Sequence, residues 1–213
     1  MRILAIIGLC IAGLLGVVNM SDSAEKRAGQ SSPATAKAEI ATFAGGCFWC
    51  MEPPFEKLKG VDAVISGYTG GTTENPKYDE VSSGRTGHAE AVEVHYDASQ
   101  ITYGELLDVF WRNIDPTTKD RQFVDTGSQY RTAIFYHNDE QKRLAEESKK
   151  KLDASGRFGK SIVTEIVPAG KFYAAEEYHQ DYYKKSATRY KFYRFNSGRD
   201  QYLERIWGKE KGK

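Results

Sequence analysis

The chain has 213 residues, with 30 lysines and arginines against 29 aspartates and glutamates, so its formal net charge at pH 7 is +1. A nearly neutral chain lacks the basic surface of a nucleic-acid-binding protein, which argues against nucleic acid as the main partner. The three cysteines are Cys10, Cys47 and Cys50. The last two have the spacing of a redox pair or of half a metal site.

An apolar run opens the chain. Met1 and Arg2 precede an uncharged stretch, residues 3–18, which is followed by small and polar residues. This pattern predicts that residues 1–23 are a secretory signal peptide, because a membrane span needs about 20 apolar residues. The alternative is an uncleaved membrane anchor formed by residues 3–18. Either way, we expect the folded part to be exported to a periplasmic or other extracytoplasmic location.

Composition divides the rest of the chain. Residues 24–39 are rich in Ser, Ala and Lys without apolar periodicity, which predicts a linker. Residues 40–208 have the length of one ordinary domain with its own core. Residues 209–213 form a basic tail.

The stretch from Gly45 to Cys50 carries the strongest chemical signal. It follows an apolar run, residues 40–44, that predicts a strand, and it precedes an amphipathic run that predicts a helix. A thiol at such a turn lies near a helix N-terminus, where the macrodipole favours the thiolate of Cys47. Because Cys50 follows three residues later, the two Cα atoms would be about 5–6 Å apart, within disulfide range. We therefore interpret the pair as redox-competent.

Other readings of the two cysteines stay open. They could be half of a zinc site, although no other cysteine stands in the domain and the four histidines show no paired ligand spacing. They could also be inert buried side chains. Pro53 and Pro54 predict that the regular helix begins only near Pro53, since proline is tolerated in a first turn.

Residues 88–97 predict a strand with an unusual acid. Its alternation places Glu90 on one face with Val92, Val94 and Tyr96, whereas Glu93 falls on the polar face. A carboxyl on an apolar face is desolvated, and desolvation favours its protonated form. Such a group suits a general acid near neutral pH. The alternative is a buried structural glutamate.

The remaining elements define the fold class. Their order, two strand–helix–strand halves followed by a helix and a strand, predicts an α+β fold with a ferredoxin-like split βαβ core and extra helices and strands in a single domain. Residues 189–195 alternate basic and aromatic residues, which favours aromatic packing with outward cations over a single-stranded nucleic-acid platform. We predict strands over 61–67, 130–137 and 161–167, and helices over 103–114 (capped by Thr102), 139–154 and 174–185.

Five stretches, in order, give the chain its family resemblance. It resembles the A-type peptide methionine sulfoxide reductases, which act on the S epimer of the sulfoxide, over roughly residues 40–185. The family repairs oxidised methionine. The matching stretches are Gly46-Cys47-Phe48-Trp49, Gly67-Tyr68-Thr69-Gly70-Gly71, Asn75-Pro76-Lys77-Tyr78, Gly87-His88-Ala89-Glu90-Ala91-Val92 and Gly127-Ser128-Gln129-Tyr130-Arg131.

The resemblance implies a catalytic set. Cys47 would attack the sulfoxide sulfur and Glu90 would protonate the oxygen. Tyr78 and Tyr130 would donate hydrogen bonds to that oxygen as negative charge develops on it.

The resemblance also implies a binding site and partners. Phe48 and Trp49 would wall an apolar pocket for the substrate methyl group, and Asp125 would help to hold the substrate or the site. The substrate would be free methionine sulfoxide or oxidised protein. We expect no bound cofactor or metal, a thioredoxin-like or other external thiol reductant, and a monomer.

The chain departs from much of the family at Cys50. Many members have glycine there and carry resolving cysteines in a C-terminal tail, which here holds no cysteine. We expect Cys50 to resolve the sulfenic acid of Cys47, the alternative being direct reduction by an external thiol. Two rival functions are a thioredoxin-type oxidoreductase and a secreted binding module with a structural disulfide.

Overall fold

A computed structural model describes residues 37–208, which belong to one compact unit. The predicted signal peptide or anchor, the linker up to residue 36 and the basic tail 209–213 lie outside the described residues. Within residues 37–208, no helix combines the length and apolar character needed to cross a membrane.

Eight strands form a six-stranded sheet and a small two-stranded one. The large sheet has the order β7-β6-β1-β3-β2-β8, and its pairs are antiparallel except for the parallel pair β6 and β7. The strands are β1 (Ala38–Gly45), β2 (Val61–Thr69), β3 (Ala89–Asp97), β4 (Arg121–Gln122), β5 (Asp125–Thr126), β6 (Thr132–Tyr136), β7 (Glu165–Pro168) and β8 (Tyr173–Ala174).

Seven α-helices are described, together with one 3₁₀ helix at Ser128–Tyr130. They are α1 (Phe48–Glu56), α2 (Tyr78–Ser82), α3 (Tyr103–Trp111), α4 (Asp139–Ala154), α5 (Tyr182–Lys185), α6 (Ala187–Asn196) and α7 (Arg199–Trp207).

The four central strands, β6-β1-β3-β2, are antiparallel neighbours. Helix α1 joins β1 to β2 across the intervening β3, and the β3-to-β6 connection, which contains α3, spans β1 in the same way. Each connection therefore links two parallel strands with a third strand between them, which is the split βαβ arrangement. The predicted α+β, ferredoxin-like core is confirmed.

Aromatic packing fixes α1 and α3 to the sheet. The ring of Phe43, on β1, stacks on Phe55 of α1 at 5.2 Å and on Phe110 of α3 at 5.1 Å between ring centroids. Thr102 caps α3 as predicted, because its hydroxyl accepts the N–H of Glu105, whose carboxylate in turn accepts the N–H of Thr102. The helix ends at Trp111 rather than Ile114.

Helix α1 begins earlier than its prolines predicted. It starts at Phe48, directly after Cys47, and holds Pro53 and Pro54 inside it. Proline, which has no N–H, is tolerated in the first turn of a helix because the first four N–H groups have no helical partner. The two prolines of α1 lie just after that turn. Pro54 leaves the carbonyl of Cys50 without its helical donor, and the Nη1 of Arg194 donates to that oxygen at 3.2 Å.

The predicted helix over 174–185 is wrong. Residues 173–174 form the edge strand β8, and only one helical turn, α5, follows. The Gln180 side chain satisfies the backbone of Ser66 on β2, accepting its N–H and donating to its carbonyl, both at 2.9 Å. Asp181 then adopts a left-handed φ of 54°. These contacts with the sheet outweigh local helix propensity.

Several other strands and helices begin or end at residues slightly different from those predicted. β1 begins at Ala38, two residues before the predicted domain start, and β7 covers 165–168 instead of 161–167. The short helix α2 and the 3₁₀ turn were not predicted, and the 3₁₀ turn delays β6 to Thr132. Helix α4 runs over 139–154 as predicted, with Asn138 as its cap.

The basic-aromatic stretch 189–195 lies on α6. We predicted inward aromatic rings and outward cations, and part of the stretch shows the opposite orientation. Arg194 turns inward with its side chain 17% exposed, whereas the rings of Phe192 and Phe195 are 73% and 66% exposed. Tyr193 also turns inward, towards Trp49 and Asp125.

Candidate active site

The two thiols lie at the start of α1. Gly46 makes the turn from β1 with φ +79°, and a Cβ there would lie 2.5 Å from the Cβ of Gln122, so this position needs glycine. Cys47 is the N-cap residue of α1, and its carbonyl accepts the N–H of Cys50 at 3.0 Å. Both cysteines are free and buried, and each side chain shifts the pKa of the other. The spacing argument therefore places the sulfurs together as predicted.

Glu90 lies beneath the same helix start. It is 2% exposed on β3, and its Oε2 accepts the backbone N–H of Phe48 at 3.1 Å. This carboxyl thereby satisfies one of the unpaired N–H groups of the helix N-terminus. Burial raises the pKa of Glu90 to about 8, against the opposing effect of the Phe48 hydrogen bond. The strand alternation predicted this burial.

The pKa values of the two thiols are shifted in opposite directions. Burial raises the pKa of Cys47 well above the usual range, and the hydrogen bond with Cys50 and the negative charge of Glu90 act in the same direction. The pKa of Cys50 is lowered, first by the hydrogen bond from Cys47 and then by the guanidinium groups of Arg199 and Arg194. The expected helix-dipole preference for a Cys47 thiolate is thus opposed by burial, and the arginine charges favour the negative charge on Cys50.

Two tyrosines belong to the same electrostatic environment. Burial, followed by the negative charges of Glu90 and Cys47, raises the pKa of Tyr78 to about 12. The pKa of Tyr130 is raised by burial, by Glu90 and by Tyr78. Both phenols therefore keep their protons at neutral pH and can donate hydrogen bonds.

Aromatic rings form one wall of the site. Phe48 is buried, with its ring 5.0 Å from that of His179. The indole Nε1 of Trp49 donates to the Nδ1 of His179 at 3.0 Å, and the Trp49 ring stacks on Tyr182 at 3.7 Å. Tyr78 completes the group, with its ring 4.4 Å from His179. Phe48 and Trp49 thus lie in an aromatic cluster, and their role as the wall of a pocket for the substrate methyl group, which the resemblance implied, stays a prediction.

Asp125 reaches the site through α6. The hydroxyl of Tyr193 donates a short hydrogen bond to its Oδ2, and the edge of the Tyr193 ring faces Trp49. Burial raises the pKa of Asp125, although this hydrogen bond and the charge of Arg199 oppose the shift. The carboxyl acts electrostatically on Cys47 and Glu90. All eight residues predicted for the site are therefore brought together.

The sequence reasoning missed the residues contributed by the last quarter of the domain. His179, Tyr182, Tyr193, Arg194 and Arg199 had no motif to mark them. The only available signal was the basic-aromatic stretch 189–195, which was interpreted as packing.

Three carboxylates near α1 lie close enough together to hold a cation. The carboxylates belong to Glu52, Glu56 and Asp181. Lys184 pairs with Glu56 at 2.8 Å and with Asp181 at 2.6 Å, so an ammonium group already neutralises two of them. Glu52 accepts the backbone N–H of Asp181 at 2.8 Å, which anchors the segment carrying His179 to α1.

Known proteins share this sequence and fold. The family described as peptide methionine sulfoxide reductase matches residues 39–211. The peptide methionine sulfoxide reductase MsrA of Bacillus licheniformis is 58% identical over 174 residues, which cover 82% of this chain and 96% of that protein. The MsrA of Listeria monocytogenes serotype 4b is 56% identical over 169 residues, covering 79% and 96%.

Solved structures agree. The reduced form of Mxr1 from Saccharomyces cerevisiae superposes with a TM-score of 0.67 at 34% identity, covering 72% of this chain and 91% of that one. The methionine sulfoxide reductase A of Corynebacterium diphtheriae gives a TM-score of 0.64 at 40% identity, covering 70% and 76%.

A buried thiol pair beside a protonated carboxyl, on a ferredoxin-like scaffold, defines a thiol-dependent oxidoreductase. The chain belongs to the peptide methionine sulfoxide reductase family. Within that family it is of the A type, the peptide-methionine (S)-S-oxide reductases, whose role is the repair of oxidised protein. This membership excludes the rival reading of a binding module.

Proposed function

We propose that Cys47 attacks the sulfur of the S epimer of methionine sulfoxide while Glu90 protonates its oxygen. The observation that carries the proposal is the contact between the Glu90 carboxyl and the N–H of Phe48, next to Cys47. It supports an acid positioned beside the nucleophile, and a pKa of about 8 leaves that acid protonated at neutral pH.

The reaction conserves atoms and electrons. The proton of Cys47 passes to Cys50, the Cys47 sulfur bonds to the sulfoxide sulfur as a thiolate, and the Glu90 proton passes to the oxygen. The hydroxyl then moves from the methionine sulfur to the Cys47 sulfur as the bond between the two sulfurs breaks, so that methionine leaves with two more electrons, Cys47 becomes a sulfenic acid and Glu90 is left as a carboxylate. Tyr78 and Tyr130 donate hydrogen bonds to the oxygen as its negative charge grows.

The aromatic wall selects the substrate. Phe48 and Trp49 enclose the methyl group of the sulfoxide in an apolar site that excludes water. Asp125 holds the site through its hydrogen bond with Tyr193. Free methionine sulfoxide and the same group in an oxidised protein present this methyl group alike, so both are substrates.

Cys50 completes the cycle. Its sulfur attacks the sulfenic sulfur of Cys47, water leaves and a disulfide forms. A thioredoxin-like dithiol protein then returns two electrons and two protons. Two observations support this assignment: the two buried thiols interact, and residues 37–208 contain no third cysteine. No bound cofactor or metal takes part, and the enzyme acts as a monomer.

The predicted signal peptide or membrane anchor supports export of the domain. A charged start followed by the apolar residues 3–18 directs the domain out of the cytoplasm, either cleaved near residue 24 or anchored by that stretch. N-terminal sequencing of the protein from its native host distinguishes the two forms, and a cytoplasmic product beginning at Met1 would contradict both.

Incubation of the reduced full chain with each epimer of a methionine sulfoxide peptide tests the function. We expect one equivalent of methionine from the S epimer, with a Cys47–Cys50 disulfide found by mass spectrometry. Equal conversion of the R epimer, or a product without oxidation of Cys47, would overturn the proposal.

A further inference from the structure

Arg199 is a buried cation without a carboxylate partner. It is 1% exposed, and no Asp or Glu among residues 37–208 forms an ion pair with it. Its Nη2 donates to the carbonyl of Gly45 at 3.0 Å and its Nη1 to that of Asn113 at 2.6 Å, while its Nε is buried without a hydrogen-bond partner. A buried charge is costly unless an opposite charge balances it. The charge of Arg199 also acts on the carboxyl of Asp125, but the two form no ion pair, so Arg199 is only partly balanced and favours a further anion near the start of α1.

Arg194 approaches the same helix from α6. Its Nη1 donates to the carbonyl of Cys50, the oxygen that Pro54 leaves without a helical donor. Its Nη2 pairs with Asp200 at 3.0 Å, although that carboxylate is 42% exposed and only partly balances the cation. Two guanidinium groups therefore flank the first turn of α1.

The two cysteine residues differ slightly in exposure. Cys50 is fully buried, at 0% exposure, whereas Cys47 retains 7%. An external thiol that opens a Cys47–Cys50 disulfide therefore meets the sulfur of Cys47 first. Attack on one sulfur expels the other, so the leaving group is Cys50, and a thiolate of lower pKa leaves faster.

We propose that Arg194 and Arg199 are positioning residues that stabilise Cys50 as a thiolate, so that the reductant attacks Cys47 and Cys50 is the leaving group. This inference rests on the proposed function, because it assigns a direction to the opening of the disulfide by the reductant.

The step balances. A reductant thiolate forms a bond with the Cys47 sulfur, the Cys47–Cys50 bond breaks, and its electron pair stays on Cys50 as a thiolate stabilised by the charges of Arg194 and Arg199. A second thiol of the reductant then attacks the mixed disulfide and releases Cys47. The lowered pKa of Cys50 agrees with this direction. Besides the two arginines, the titratable groups that interact electrostatically with the thiol pair are Glu90, Asp125, Tyr78, Tyr130, Tyr190 and Tyr193.

The first test measures the pH midpoint of Cys50 alkylation. In a Cys47→Ser background, iodoacetamide modification of the peptide containing Cys50 is followed by mass spectrometry, which separates it from Cys10. We expect Arg194→Gln to raise the midpoint by about one pH unit or more and Arg194→Lys to restore most of it, because an adjacent opposite charge shifts a pKa by about 1–3 units. An unchanged midpoint in Arg194→Gln would overturn the proposal.

Two controls separate charge from structure. Asp200→Asn breaks the same ion pair but keeps the arginine charge, so it should not raise the midpoint. Arg143→Gln removes one charge from an exposed site on α4, where Arg143 pairs with Glu140 and Glu147, and should leave the midpoint unchanged. A rise in Asp200→Asn equal to that in Arg194→Gln would show that packing alone is responsible. Arg199→Lys, which keeps the charge, should likewise keep the midpoint low.

The second test maps the attacked sulfur. The disulfide is prepared in the full chain with diamide, so that failure with the sulfoxide counts against the proposed function alone. After brief exposure to reduced glutathione and an acid quench, we expect the adduct on Cys47, formed about 3–10-fold more slowly in Arg194→Gln. An adduct on Cys50, or no Cys47–Cys50 disulfide with diamide, would overturn the inference.

Discussion

The carboxyl of Glu90 accepts the backbone N–H of Phe48 at 3.1 Å, which ties the buried acid to the first residue of the helix that follows Cys47. The distance between acid and nucleophile is therefore set by main-chain geometry on both sides, since Glu90 itself sits in the centre of the sheet on β3. This geometry supports the proposed role of Glu90 as the acid beside Cys47.

Replacement of the nucleophile tests the first role. Cys47→Ser should abolish reduction of the S epimer, because a hydroxyl is a far poorer nucleophile than a thiolate at neutral pH. Methionine release measured by chromatography checks this. Substantial remaining activity in a folded Cys47→Ser protein would place the chemistry on another residue.

Replacement of the acid tests the second role. Glu90→Gln keeps the shape but removes the transferable proton, so the chemical step should slow by about 10²–10⁴-fold. Because the pKa of Glu90 is about 8, the rate of the parent should fall as pH rises through that value, and this decline should be absent in Glu90→Gln. Glu93→Gln is the matched control, since Glu93 points to the other face of β3 and pairs with His95 at 2.9 Å. Equal pH profiles for parent and Glu90→Gln would contradict the assignment.

The same substitution should stabilise the fold at high pH. A carboxyl whose folded pKa is raised keeps its proton while the unfolded chain loses it, so stability is lost as pH rises from the unfolded pKa to about 8. Glu90→Gln removes this loss. Its free energy of unfolding relative to the parent should grow by about 2–4 kcal/mol between pH 5 and pH 8, measured by urea unfolding. A constant difference across that range would show that Glu90 is ionised in the fold.

The indole of Trp49 should contribute to substrate binding. Trp49→Phe removes the hydrogen bond to His179 and part of the stack on Tyr182, and we expect KM to rise about 3–10-fold with a smaller change in kcat. Trp111→Phe is the control, because that indole donates to Ser148 on α4, away from the site. Equal KM values for Trp49→Phe and the parent would remove Trp49 from the binding wall.

Local patterns predicted the part of the site that lies on regular elements. Strand alternation placed Glu90 on the buried face, and the spacing of Cys47 and Cys50 placed the thiols in contact. The N-cap of α3 was also predicted, as Thr102. Each of these features depends on residues within one element, so periodicity alone reveals it.

Long-range contacts decided what the sequence could not predict. Segment 174–185 is held in irregular form by Gln180, which satisfies the backbone of Ser66, 114 residues earlier. Arg194 donates a hydrogen bond to the carbonyl of Cys50, which lacks a helical donor because Pro54 has no N–H. Pro54, which predicted a late helix start, therefore leaves an acceptor free for an arginine that is distant in sequence. No local pattern carries that information.

Single turnover by Cys50→Ser tests the account most directly. The reduced protein is mixed with one S-epimer sulfoxide peptide, methionine is counted, and a diketone traps any sulfenic acid. We expect one equivalent of methionine, the trapped adduct on Cys47, and a collapse of turnover with a thioredoxin-like reductant, because such dithiol proteins act on a disulfide. Turnover as fast as that of the parent, or an adduct on any residue other than Cys47, would contradict the account.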